Sequence, residues 1–383
     1  MRSFALTLLP LVQLASATHA PSRKTCVVPS SGGVSDDSAA IANVFARCSN
    51  NSIIKFSQGV DYNVFQPISA TNLSNVEISM QGNLHLPQNV TAIQAIVNET
   101  TGSAQATNLY WFSFAGPKID WVGTSNITNG WIYSYGQAWW DLNPVNGTGT
   151  PARPHLMSFI TDNGSMQHWK SKKPIAWNVA LSGNNVTVTN AIIDAVSNSS
   201  SFPFNTDGFD VKGNNISILD STIYNGDDAI AIGSGSHNIL FRGNTIGYQT
   251  HGMSIGSLGQ TQSAFANVTN VLIDSNTVAG GVYAARFKSW IGGQGLAKNI
   301  TWSNIKVYNV SFPIFVTQSY SNQGSAQTQL QPGAVTGRPN NSSVVMQDFT
   351  WANFTGTINT FNHGDDSCVT DVSLPDISQT RNR

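Results

Sequence analysis

Between Asn185 and Trp302 the chain repeats one short pattern: an asparagine, alternating β-branched residues, then a polar turn. It appears as Asn185-Val186-Thr187-Val188-Thr189, Asn215-Ile216-Ser217-Ile218-Leu219, Asn238-Ile239-Leu240-Phe241, Asn270-Val271-Leu272-Ile273-Asp274 and Asn299-Ile300-Thr301-Trp302. The first apolar residues fall at 186, 216, 239, 271 and 300, separations of 30, 23, 32 and 29. A loose repeat of that size is the signature of a solenoid with one coil per unit. Period-two alternation marks strands with one buried face, and a second short strand follows in each unit, as in Ala191-Ile192-Ile193 and Thr222-Ile223-Tyr224. Such a coil cannot bury its apolar face alone and must stack on the next. An antiparallel sandwich or propeller also gives many short strands, but it needs hairpin turns, and two-residue Asn-Gly connections are few in this chain. The recurring asparagines are expected to point inward and stack along the axis. The predicted fold is therefore all-β, a parallel β-helix. Ser38 to Arg47 carries the cap and 3.6-residue pattern of one short helix, placed to close the N-terminal end of the stack. No sustained helical periodicity follows Arg47.

The first seventeen residues have one early charge at Arg2, an apolar run from Phe4 to Leu14 and the ending Ala15-Ser16-Ala17. That is the form of a secretory signal peptide, leaving residues 18–383 as a single domain. The apolar run is too short to span a bilayer core of roughly 30 Å. A secreted, extracellular protein without membrane attachment is expected. Export also predicts glycosylation at Asn-x-Ser/Thr sites, which occur at Asn50, Asn72, Asn89, Asn98, Asn126, Asn146, Asn163, Asn185, Asn198, Asn215, Asn267, Asn299, Asn309, Asn340, Asn341 and Asn353. An Asn-, Ser- and Thr-rich β protein also generates such triplets by composition alone. Three cysteines are too few to frame the fold; Cys26 and Cys48 are expected to bridge the N-terminal segment. Cys368 is left over in a polar, unpatterned end, which suggests a truncated C-terminus. Only a tenth of the chain is charged and the net charge is −1, which leaves neither a nucleic-acid footprint nor a basic membrane face.

Acidic residues are scarce, yet Asp207, Asp210, Asp227 and Asp228 fall close together. Asp207 lies in Asn205-Thr206-Asp207-Gly208-Phe209-Asp210 and the pair in Asn225-Gly226-Asp227-Asp228-Ala229-Ile230. The interval from Asp207 to Asp228 is 21 residues, about one coil, which puts them on rungs about 4.8 Å apart. Carboxylates so close cannot all ionise freely, so at least one pKa should rise. A protonated acid beside an ionised base is what glycoside hydrolysis requires. Any one of these aspartates could be a turn residue; three at one-coil spacing point to chemistry. Thr250-His251-Gly252 follows one coil later, its glycine and small neighbours expected to leave His251 open. One coil further comes Arg286-Phe287-Lys288, whose cations share one face of a strand. They suit an anionic substrate, though two snorkelled surface charges would give the same spacing.

The four motifs, in this order, resemble the polygalacturonase family, glycoside hydrolase family 28, whose pattern is Asn-Thr-Asp, Gly/Gln-Asp-Asp, Gly-His-Gly and Arg-Ile-Lys. The likeness reaches upstream to Tyr135-Gly136-Gln137-Ala138-Trp139-Trp140-Asp141 and Arg153-Pro154-His155-Leu156 and covers about Cys26 to Phe354. It implies a right-handed parallel β-helix that hydrolyses pectin with inversion. By motif position Asp227 resembles the general acid, and Asp207 and Asp228 the pair that activates water. His251 resembles the histidine supporting the acid, Arg286 and Lys288 the grip on substrate carboxylates, and Asn205 a holder of the aspartates that also contacts sugar. No metal or organic cofactor is implied; the expected partner is a pectic polysaccharide or oligogalacturonide, and the protein is expected to be a monomer. Three positions depart from the pattern. Thr250 replaces the first Gly of Gly-His-Gly, where fungal exo-acting members often carry Ser. Phe287 replaces Ile, and Ala229 stands where many members have a bridging Cys. The expected activity is exo-hydrolysis of terminal galacturonic acid. An endopolygalacturonase, a rhamnogalacturonan hydrolase or α-L-rhamnosidase, and an inactive pectin-binding β-helix are the alternatives.

Overall fold

A computed structural model describes residues 22–103, 108–143, 149–261, 263–320 and 343–359. The leader predicted at 1–17, the sites Asn146, Asn340 and Asn341, and Cys368 with the C-terminal end lie outside them.

All strand pairings are parallel, and strands a coil apart in sequence are neighbours in space. The five apolar residues that set the repeat form one column: Val186 pairs with Ile216, Ile216 with Ile239, Ile239 with Val271 and Val271 with Ile300. All five are buried. A second column runs Ile193, Ile223, Ile246, Val278, and a third Val179, Phe209, Ile230, Met253, Ala285. Three sheets thus wrap one apolar core as a right-handed parallel β-helix, the hand that parallel crossovers prefer.

The asparagines are not inward, which corrects the sequence reading. Asn185, Asn215, Asn238, Asn270 and Asn299 are exposed and sit at a corner in the left-handed region, φ 55 to 57°. Asparagine tolerates that conformation where β-branched residues do not. Stacking persists on the outside, where each amide bonds the coil before it. Asn215 Nδ2 donates to Asn185 Oδ1 at 2.8 Å, Asn270 to Asn238 at 3.0 Å and Asn299 to Asn270 at 2.9 Å. Beside them, Gly213 packs so closely that a Cβ there would fall 2.0 Å from the Gly183 carbonyl oxygen.

The predicted helix spans Ser38–Arg47 (α1). It buries Ile41, Val44 and Phe45, with Phe45 stacked on Phe114 at 4.8 Å between centroids, so it closes the end of the core. The Cys26–Cys48 disulfide ties its C-terminal end to the first strand. The sequence reading missed a second helix, Val90–Thr101 (α2), capped by the Asn89 side chain on Ala92 N–H and ended by Gly102 in the left-handed region. Its Ile93 and Val97 are the buried face. A short third helix, Gln137–Leu142 (α3), buries Trp139 and Trp140. Among the described residues no helix is long and apolar enough to cross a membrane.

Candidate active site

The outer face of the third sheet carries the column Ala180, Asp210, Ala231, Ser254, Arg286. The small Ala231 and Ser254 between Asp210 and Arg286 leave the floor of a cleft open. The acids enter from the turns that lead into these strands. Gly208 N–H donates to the Asp228 carbonyl and His251 N–H to the Asp227 carbonyl, each at 2.8 Å, so Asp207, the Asp227-Asp228 pair and His251 occupy successive rungs. Buried amides hold the turns: Asn225 Nδ2 reaches the carbonyls of Thr206, Asp227 and Asp228 at 2.8 to 3.0 Å, and Asn178 Nδ2 reaches that of Asp207 at 2.9 Å. Asp207, Asp210, Asp227, Asp228, Asn205, Arg286 and Lys288 all line one cavity of about 670 Å³.

Each carboxylate has its own surroundings. Asp228 is fully buried and accepts from Lys288 Nζ and Ser254 Oγ, each at 2.5 Å, and from Arg286 at 3.4 Å. The two cations also pack on aromatic rings, Arg286 over Tyr283 at 4.5 Å and Lys288 over Tyr320 at 5.3 Å. Burial is the largest influence and works against their charge, but Asp228, together with Asp227 and the neighbouring tyrosines, outweighs it and both pKa values end above normal. Asp227 receives three contacts. Its Oδ1 accepts from Asp228 N–H at 2.8 Å and meets His251 Nδ1 at 2.9 Å; its Oδ2 accepts from Asn205 Nδ2 at 3.3 Å. Burial pushes the Asp227 pKa up, but His251, by charge and hydrogen bond, together with Lys288 and Arg286 pulls it well below the usual carboxylate range. Asp207 and Asp210 go the other way. Burial is the main cause; Asp227 leads the charges that raise Asp207, and Asp228 those that raise Asp210. Asp207 Oδ1 and Asp210 Oδ2 have no partner among the described residues.

The structure thus brings together the residues named from the sequence, but two features differ from that reading. His251 is not open: it is 7 % exposed, packed between Phe202 and Tyr283 at centroid distances of 6.0 and 5.9 Å, and touches Asp227 from behind the cleft. Its neighbour Gly252 (φ 77°) is needed for close packing, since a Cβ there would meet the Ala284 oxygen at 2.4 Å. Thr250 is buried and donates Oγ1–H to the Asp227 carbonyl at 3.0 Å, a bond the glycine of the family pattern could not make. Arg153 lines the cleft and donates to Asn205 Oδ1 at 2.8 Å; the sequence offered only its place in Arg153-Pro154-His155-Leu156. Possible ligand atoms of Asp227, Asp228 and His251 lie within 4.8 Å of one another. Asp228 is already saturated by Ser254, Arg286 and Lys288, whose two charges would repel a metal ion, so the donor set fits an ion-pair network better than a metal site.

The model of glycosyl hydrolases family 28 matches residues 57–380. The chain belongs to this family. It is 57 % identical over 380 residues to a probable exopolygalacturonase C of Aspergillus terreus, covering 98 % of this chain and 84 % of that one. Its fold is similar to that of the endo-xylogalacturonan hydrolase of Aspergillus tubingensis, with a TM-score of 0.71 and 23 % identity over 88 % of this chain and 86 % of the other. It is likewise similar to the polygalacturonase of Erwinia carotovora, with a TM-score of 0.64 and 19 % identity over 88 % and 96 %. For this member of family 28, Phe287 in place of Ile is a change on the buried side of the strand, as its complete burial requires.

Proposed function

We propose that the protein is an exo-acting, inverting hydrolase that removes terminal galacturonic acid from de-esterified pectin. The observation that carries this reading is the meeting of Arg286 and Lys288 on Asp228 inside the cleft that also holds Asp207 and Asp227. Two cations beside the acids suit a substrate bearing a carboxylate on each sugar. The exo preference is supported by the name of the Aspergillus terreus relative.

In this reading Asp227 protonates the leaving oxygen while Asp207 and Asp228 hold and activate water. In the free protein Asp227 is the more acidic of the two and Asp207 the less, the reverse of the order that the reaction needs. Substrate binding corrects this. A galacturonate carboxylate drawn to Lys288 and Arg286 adds negative charge and screens two of the cations that depress Asp227, so its pKa rises. A proton on Asp227 then removes the chief charge that raises Asp207, so the Asp207 pKa falls, against the burial that still holds it up. The cluster acts as one coupled unit that shifts a proton when the substrate arrives.

Product analysis on polygalacturonate tests the reading. Monomer alone from the first time point is expected. A ladder of oligomers would replace exo with endo action, and binding without release would remove the enzyme reading.

A further inference from the structure

The cations of the cleft are not equivalent. Arg286 and Lys288 are both paired with Asp228. Arg153 is 9 % exposed and lines the same cavity, yet among the described residues no carboxylate forms a salt bridge with it. Its Nη1 donates to the Phe204 carbonyl at 2.9 Å and its Nη2 to Asn205 Oδ1 at 2.8 Å, and its guanidinium lies over the Phe204 ring at 5.1 Å. Nε has no partner among the described residues. The backbone makes room for the group: a Cβ on Gly149 (φ 89°) would fall 2.2 Å from Nη2. Burying a guanidinium without a counter-ion is costly, so the group is suited to receive an anion. Asp207 and Asp227 act on it only from a distance, and burial still lowers its pKa to about 10, so it stays charged.

Its place along the axis says which anion. Arg153 precedes the strand His155–Gln167, two rungs before the strand Phe209–Leu219 that carries Asp210, while Arg286 and Lys288 lie on Thr277–Trp290, three rungs after it. The acids stand between the cations. A chain with one acid group per sugar, lying over Asp227, presents carboxylates on both sides of the bond to be cleaved. We propose that Arg153 is a second carboxylate-recognition residue, holding the sugar on the opposite side of the scissile bond from the one held by Arg286 and Lys288. The proposal rests on the galacturonan reading above. A planar guanidinium suits a carboxylate bidentately, and the Arg153–Asn205–Asp227 chain links that recognition to the proton donor.

The test uses 1,4-linked digalacturonate and its two monomethyl esters, one on each sugar. With wild type, either ester should lower kcat/KM by at least about tenfold, the worth of a charge-assisted contact. Arg153→Met should abolish the discrimination at one sugar and keep it at the other, and Lys288→Met should do the reverse. A uniform loss on all three substrates in Arg153→Met would reduce Arg153 to a support for Asn205 and overturn the proposal, as would loss at the same sugar as in Lys288→Met. If circular dichroism shows that Arg153→Met does not fold, Arg153→Lys decides. It keeps the charge without the fork, so the ester penalty at that sugar should survive with a raised KM, and a uniform loss would again overturn the proposal. Failure of wild type to cleave unesterified digalacturonate is a separate result, which would remove the galacturonan reading itself.

Discussion

Nδ1 of His251 lies 2.9 Å from Oδ1 of Asp227, beneath the cleft rather than within it. After the opposing effect of burial, this contact is the main influence on Asp227, and it pulls the pKa down. A carboxyl depressed on folding contributes stability above its ordinary pKa and loses it as pH falls through the depressed value. In His251→Ala the depression shrinks, so the stability lost on acidification should be smaller, and the loss complete at a higher pH, than in wild type. Thermal melts between about pH 2 and 6 would show it. The acid limb of kcat/KM should move upward as well, with activity reduced about tenfold or more by loss of a charge-assisted contact. Superimposable pH profiles would mean that the imidazole packs beside the acid without governing it.

Asp210 should respond with the opposite sign. Its pKa is raised, chiefly by burial and then by Asp228, so its contribution is present below the ordinary carboxylate pKa and is lost as pH rises through the raised value. Asp210→Asn cannot ionise and should be more stable than wild type near neutral pH, with no gain in acid. Differential scanning calorimetry at two pH values checks this. A gain of equal size at both would point to packing rather than charge.

Much of this site was legible because a solenoid turns sequence spacing into distance. The interval from Asp207 to Asp228 is close to one coil, so the motif order already gave the rung order that the backbone bonds confirm. The five residues starting with Val186 gave the core column in the same way. Arg153 was harder to find, because its role depends on Phe204 and Asn205, more than fifty positions away and off the repeat. The burial of His251 depends on Phe202 and Tyr283, which no local pattern joins to it. The helix Val90–Thr101 escaped because its two buried residues, Ile93 and Val97, give too thin a stripe among polar neighbours. The asparagines misled because stacking was read as burial, whereas their positive φ values put them on an outer corner.

That corner bears on glycosylation. An asparagine at the bend, an inward apolar residue and an outward Ser or Thr make the Asn-x-Ser/Thr triplet a by-product of the coil. At Asn185, Asn215, Asn299 and Asn353 the Nδ2 that would carry a glycan donates to the previous coil at 2.8 to 3.0 Å, and rungs about 4.8 Å apart leave a sugar little room. Material made through a secretory pathway should carry glycans at exposed sites outside the ladder, such as Asn72, Asn98 and Asn126. The four ladder sites should carry none. Glycopeptide mass spectrometry would read each site, and full occupancy of Asn185 and Asn215 together would refute the argument.

Asp227→Asn tests the mechanism itself. The substitution keeps the shape of the side chain and much of its hydrogen-bonding capacity, so the fold should persist, while the leaving oxygen loses its proton donor. Turnover on oligogalacturonate should drop by at least about 10² to 10⁴, the usual worth of general acid catalysis. On an aryl galactosiduronide the loss should be smaller, because that leaving group departs without a proton. Asp207→Asn and Asp228→Asn should impair both substrates alike, since water must still be held and activated on the far face of the sugar. Asp228→Asn carries a second cost, for it strips Lys288 and Arg286 of a buried counter-charge, and its melting temperature should fall, whereas that of Asp207→Asn should not, since the Asp207 pKa is raised like that of Asp210. Proton NMR of the first product from wild type should show the anomer opposite to the α linkage of the substrate. Retention would require a covalent intermediate on one of these aspartates and would make that residue a nucleophile instead of a holder of water.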